Sequence, residues 1–163
     1  MKKCSLLLVC ALLAGCEYTA PLVETPEIDV DKSVLGLWRR TKDNGETESL
    51  LVLPWSNREY LVSFPAETEN PLFARVVLCR VAGQTLAQIR WIGTGEGNTP
   101  DDNRVFQYLT YSATPDTLTL RMLNSDVVSK KLATTAELTR AITENKANPD
   151  LFKEPMVYRK AVE

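Results

Sequence analysis

Thr117-Leu118-Thr119-Leu120-Arg121-Met122-Leu123 sets Leu118, Leu120 and Met122 against Thr117, Thr119 and Arg121. A period of two, with one apolar and one wetted face, is the signature of a half-buried β-strand. The same texture runs backwards from this point. Runs over 34–41, 49–55, 60–64, 73–81, 85–92 and 104–112 are each apolar or alternating, and each is bounded by turn residues. Asn44-Gly45 supplies the positive φ of a tight hairpin after the first run. Ser56-Asn57-Arg58, Ala82-Gly83-Gln84 and Thr114-Pro115-Asp116 separate later pairs, and a longer loop occupies 93–103. Tyr60, Val62 and Phe64 share one face of the third run, and Ala87, Ile89 and Trp91 share one face of the fifth.

Forward of the opening stretch the period changes once. Thr134-Thr135-Ala136-Glu137 fits a capping box, in which a threonine hydroxyl caps the first turn and Glu137 reaches back. Leu138, Ala141 and Ile142 then fall at helical spacing, predicting a helix that ends near Asn145. Asn148-Pro149 and Pro155 punctuate the segment after the helix, and 156–161 reads as a closing strand. The fold class expected is mainly β: an antiparallel meander of about eight strands, with one α-helix before the last strand. Such a sheet curls and closes, which removes its exposed edges, and the last strand would pair with the first. A more open, strongly bent sheet with the helix across it is the alternative. Gly36-Leu37-Trp38 at the head of the first strand resembles the Gly-x-Trp that opens lipocalin-like barrels. The resemblance implies that Trp38 plugs a closed end and that a late arginine, Arg159, packs on it. The helix departs from that family's pattern, because it precedes the last strand instead of coming after it.

The N-terminus carries a different signal. Met1-Lys2-Lys3 is followed by an apolar run from Cys4 to Ala14, too short to span a bilayer and without the polar stripe of a buried surface helix. It ends Leu13-Ala14-Gly15-Cys16, which resembles the lipobox of bacterial lipoproteins. The resemblance implies that residues 1–15 are a signal peptide and that the Cys16 thiol receives a diacylglyceryl group. Several acyl chains, at about 0.8 kcal/mol per buried methylene, hold a protein to a bilayer where one chain binds reversibly. Glu17, not Asp, comes after the cysteine. By the Gram-negative sorting rule that favours the outer membrane, periplasmic face, of the cell envelope. Residues 16–33 then read as the lipidated cysteine and a flexible tether. Pro21 and Pro26 block regular structure, while Glu24, Glu27, Asp29 and Asp31 keep the segment solvated. Residues 34–163 read as a single β-barrel-like domain.

Composition excludes several functions. The net charge is −2, becoming −4 once Lys2 and Lys3 leave, and no basic patch offers a footprint for nucleic acid. Histidine is absent, which removes the commonest general base and metal ligand and every Ser-His-Asp or Cys-His arrangement. After processing and acylation only Cys79 of the four cysteines remains free, so no intramolecular disulfide is available. Its apolar surroundings, Val76 to Val81, suggest a buried thiol. Gly93-Thr94-Gly95-Glu96-Gly97 does not lead into a helix, and Glu96 would repel a phosphate. Glu96, Asn98, Asp101, Asp102 and Asn103 offer hard oxygens but lack the spacing of an EF-hand. Ser129-Lys130-Lys131 lies in a polar connection where no lysine is desolvated. No cofactor, metal site or catalytic residue is expected.

There remains a surplus of apolar and aromatic residues on both faces of the early strands, Leu50 to Trp55 above all. It predicts a helix cover, a partner surface or a ligand cavity. The expected function is a non-enzymatic, membrane-anchored binding module for a small amphiphile, with Trp55 and Trp91 on the ligand and Arg90 or Arg121 on its acidic head. A protein-interaction lipoprotein, an envelope assembly factor or a hydrolase inhibitor, is the alternative. The expected partners are the bilayer, through acylated Cys16, and either that amphiphile or an envelope protein.

Overall fold

A computed structural model describes residues 18–161. The expected signal peptide, residues 1–15, and the expected acylation site, Cys16, lie outside the described residues. Among those described, eight strands close into one antiparallel barrel in which every strand pairs with its neighbours in sequence. They are β1 Gly36–Thr41, β2 Thr47–Pro54, β3 Glu59–Phe64, β4 Leu72–Val81, β5 Gln84–Thr94, β6 Phe106–Ala113, β7 Thr117–Met122 and β8 Met156–Lys160. The closure is the pairing of β8 with β1, Trp38 opposite Lys160 and Arg39 opposite Arg159. One α-helix, α1 Thr135–Glu144, stands between β7 and β8.

The hairpins are dictated by local chemistry. Ala82 and Gly83 carry φ of 52° and 83°, the two positive values that a two-residue type I′ turn requires between β4 and β5. Gly45 sits at φ 85° in the β1–β2 turn, its N–H donating to Lys42 O at 2.9 Å. The capping box of α1 forms as the sequence predicts: Glu137 N–H donates to Thr134 Oγ1 at 3.2 Å, and Thr134 N–H donates to Glu137 Oε2 at 3.1 Å.

Two apolar layers result from strands that are apolar on both faces. The inner layer fills part of the barrel and includes Trp38, Leu50, Val52, Tyr60, Val76, Leu78, Leu109, Leu118 and Tyr158. The outer layer lies between the wall and its cover. Cys79, Val81, Leu86 and Tyr108 point outward from β4, β5 and β6, and Leu138 and Ile142 of α1, with Leu151 and Phe152 after it, cap them. Each fully buried Leu or Ile in this cover stabilises the fold by about 1.5–3 kcal/mol.

The segment expected to be a flexible tether is part of this cover. Tyr18 is 1% exposed and exchanges two backbone hydrogen bonds with Phe106, at 3.1 and 3.0 Å. Ala20 and Leu22 are also buried. The Gln88 side chain, buried on the outer face of β5, accepts from the N–H groups of Leu22 and Val23 at 2.6 and 3.0 Å and donates to Val23 O at 2.9 Å. Farther on, Val30 N–H donates to Asn57 O at 2.9 Å. Prolines and carboxylates rule out regular structure here, but they do not prevent an irregular strap from being held by side chains of the barrel wall.

The strap ends in a 3-10 turn, Lys32–Val34, that closes one end of the barrel beside the β2–β3, β4–β5 and β6–β7 turns. Trp38 is fully buried there, and its indole N–H donates to Val34 O at 2.8 Å. The cation on its face is Lys160, with Nζ 4.3 Å from the ring centroid, and not Arg159. Arg159 points outward and donates to Thr117 Oγ1. Strand parity is the reason, since Arg159 is one residue from both Tyr158 and Lys160, whose side chains face inward. Lys160 Nζ also donates to Leu35 O. That placement explains Gly36: a Cβ would stand 2.7 Å from Lys160 Nζ, and the backbone φ is 117°.

Candidate functional site

The barrel is hollow. A cavity of about 420 Å³ runs from the closed end to a mouth at the opposite end, where the β1–β2, β3–β4 and β5–β6 connections lie. Its deep wall is made by Val34, Tyr60, Leu118 and Tyr158, all buried. Toward the mouth stand Phe64, Trp91, Gln107, Met122 and Met156, all half-buried. A bulge between Phe73 and Ala74 leaves Ile92 without a partner in the β4–β5 register, and Trp91 keeps the inward face opposite Ala74. The indole N–H of Trp91 donates to Gln107 Oε1 at 3.2 Å across β5 and β6.

Most of the lining is apolar, and its charged groups come from the β1–β2 hairpin. Trp38, Arg40 and Lys42 are two residues apart, so the parity that buries Trp38 also turns Arg40 and Lys42 inward. Glu48 faces them from β2 and is 7% exposed. Its carboxylate lies 3.0 Å from Arg40 Nε and 3.1 Å from Lys42 Nζ, and accepts from the Tyr158 hydroxyl at 2.8 Å. Arg40 Nε is off the line that a hydrogen bond to this carboxylate needs, so it is a buried donor without an acceptor among the described residues. The guanidinium also stands over the Tyr158 ring, 5.6 Å from its centroid. Burial, then the charge of Glu48, pushes the Tyr158 hydroxyl well above the ordinary tyrosine range. It therefore stays protonated and donates. Glu46 also lies 3.8 Å from Lys42 Nζ, so the two cations face two carboxylates, and Arg40 Nε is the donor left over in a charge-balanced cluster.

At the closed end, Asp31 joins two inward tyrosines. Its N–H donates to Tyr60 Oη at 2.5 Å, and its carboxylate accepts from Tyr111 Oη at 3.2 Å. Burial acts to raise the Asp31 carboxyl, but hydrogen bonds from Ser33 and Tyr111 outweigh it and hold the group below its usual range.

Of the four residues expected to touch a ligand, only Trp91 lines the cavity. Trp55 is 61% exposed on the β2–β3 turn at the closed end. Arg90 is exposed on the outer wall, and Arg121 points outward, donating to the carbonyls of Phe152 and Lys153. Both arginines alternate with inward residues, Ile89 and Trp91 in one case and Leu120 and Met122 in the other, so neither can reach the interior. The residues that sequence reasoning missed are Arg40, Lys42 and Glu48. Their signal was the spacing from Trp38. In the acidic loop, the Asp102 carboxylate is turned to Arg104, and no group of three or more metal-ligating side chains forms among the described residues. Comparison with family models, curated proteins and solved structures finds no match to this chain.

Proposed function

We propose that this protein is a membrane-anchored lipoprotein of the cell envelope, tethered through acylated Cys16, whose barrel holds a small amphiphile without turning it over. The observation that carries the reading is the cavity: a deep apolar interior with a charged cluster at its mouth, in which Arg40 Nε lacks an acceptor. Lipocalin-like barrels, which the Gly36–Trp38 motif resembles, share this closed-end architecture. Cavities of this size suit small ligands. The apolar part of the ligand lies along Val76, Leu109 and Leu118, and an acidic head meets Arg40 and Lys42. About twelve buried methylenes contribute roughly 10 kcal/mol gross. Association costs at least about 4 kcal/mol, and a charge-assisted contact restores about 1.5–3. The net is a dissociation constant of micromolar order. Binding is favoured over catalysis because the chain has no histidine and because the ionisable groups at the mouth pair with one another.

The test is a fluorescence titration of the mature protein with long-chain carboxylates, alcohols and amines, with Trp91 as the reporter inside the cavity. Saturable change at micromolar ligand, strongest for the carboxylates, is expected. Arg40→Met should remove the preference for the carboxylate, and Glu48→Gln should strengthen it. No saturable change with any of the three overturns the reading. A second reading then takes over, contact with another envelope protein, favoured by Leu53 and Trp55, which are 41% and 61% exposed near the closed end.

A further inference from the structure

We infer that the N-terminal anchor holds the open mouth of the barrel against a phospholipid surface, so that ligand passes between cavity and bilayer without crossing bulk water. This rests on the acylation of Cys16 proposed above. A long tether would leave orientation free, but Tyr18, two residues from Cys16, is already packed on the barrel. Its ring packs on Tyr108 with centroids 5.3 Å apart, its hydroxyl donates to Val128 O at 2.7 Å, and its backbone pairs with Phe106 on both sides. The clamp by Gln88 on Leu22 and Val23 comes four residues later. Two residues of chain from Tyr18 to Cys16 reach at most about 7 Å.

Where Tyr18 is fixed therefore decides which end faces the lipid. Phe106 is the first residue of β6, at the mouth end, and the next residue, Gln107, lines the cavity. The closed end lies about 20 Å away along the barrel, given the rise and tilt of such strands. With a leash of about 7 Å at the mouth rim, that end reaches the same surface only if the barrel lies on its side. Charge beside the anchor agrees. Lys130 and Lys131 are exposed and lie just after Val128, the residue whose carbonyl holds Tyr18. Lysines near a bilayer attract anionic headgroups. Elsewhere the mouth loops expose Asp43, Glu46, Glu96, Asp101 and Asp102. These carboxylates are repelled by anionic headgroups, so the anchor and the lysines beside it, not the loops, hold the rim to the surface.

The experiment uses the acylated full-length mature protein in vesicles of phosphatidylethanolamine and phosphatidylglycerol. A donor fluorophore is placed on Asp43→Cys in the β1–β2 turn at the mouth, or on Asn57→Cys at the closed end. Buried Cys79 is spared. A headgroup-labelled lipid is the acceptor. Transfer from position 43 should exceed that from position 57 at least twofold. Inserting ten Gly/Ser residues between Glu17 and Tyr18 should reduce that difference by more than half, with an unchanged urea midpoint showing that Tyr18 stays packed. Equal transfer from the two positions overturns the inference, as does stronger transfer from position 57, which would place Leu53 and Trp55 on the bilayer. An asymmetry that survives the insertion overturns the role of the anchor. Intact mass separates the two layers of argument. If Cys16 carries no acyl chains, the lipoprotein reading fails and this inference with it; if it is acylated and transfer is equal, this inference alone fails.

Discussion

Replacing Trp38 with alanine should cost this protein about 4–6 kcal/mol. The indole is fully buried, and truncating a buried tryptophan costs about 3–5 kcal/mol in transfer and cavity terms. Its N–H is the donor to Val34 O, in the turn that seals the barrel. Its ring is the face on which Lys160 rests, a contact worth about 0.5–1 kcal/mol at a partly exposed site. Losing all three is comparable to the low end of ordinary domain stability, about 5 kcal/mol. The variant should melt about 10–20 °C below its parent. Urea denaturation monitored by far-UV circular dichroism is the assay, because fluorescence would lose one of its own reporters. Lys160→Met, which keeps the aliphatic stem over the ring and removes only the charge, should cost about 1 kcal/mol. A Trp38→Ala loss below about 1 kcal/mol would refute the assignment of Trp38 as the plug of the closed end.

Four further outcomes are expected. Cutting the chain at residue 34 exposes the outer face under Tyr18, Ala20 and Leu22, so fragment 34–163 should lie at least about 3 kcal/mol below fragment 18–163 in urea titration; equal stability would restore the free tether. Burial pushes the Cys79 thiol up to about 11, so at neutral pH it should react with a disulfide reagent only as fast as the protein unfolds. Asp31 is held below its ordinary range, so its stabilisation is present above about pH 4 and is lost as pH falls through the lowered folded value. Asp31→Asn should therefore cost about 0.5–1 kcal/mol at pH 7, discounted because the group is half-exposed, and progressively less as pH falls below about 4, by denaturant titration across that range. Ala87→Phe points a ring into the hollow and should change stability by less than about 1 kcal/mol while abolishing ligand binding; a loss of 1–3 kcal/mol by the same titration would mark a filled interior.

The architecture was legible because its signals are local. Alternation placed the strands, Asn44-Gly45 and Ala82-Gly83 placed two hairpins, and the Thr134–Glu137 box placed the start of the helix to the residue. Closure was left open between a barrel and a bent sheet, since the pairing of β8 with β1 depends on contacts far apart in sequence. The strap was misread for a different reason. Composition counted its prolines and carboxylates and overlooked that Tyr18, Ala20 and Leu22 alternate. That period of two was its only sequence mark. One of its partners is Gln88, a polar residue in an apolar strand, and such a pairing has no signature in either segment alone.

The cavity illustrates a harder limit. Parity along β1 could have given Arg40 and Lys42 from Trp38, and parity along β5 and β7 could have excluded Arg90 and Arg121. Each is a yes-or-no property of one residue. Hollowness is not. It is a difference between the volume enclosed by eight strands and the summed volume of the inward side chains, and two barrels with the same alternation can fall on either side of it. Here small residues at Ala74 and Ala87 sit on the inner face of the two longest strands, where a filled barrel would carry large ones. The same surplus that leaves room inside is absorbed outside by α1 and the strap. The apolar excess of the sequence therefore has two structural causes at once, a cover and a cavity, and no count of hydrophobic residues could have divided it between them.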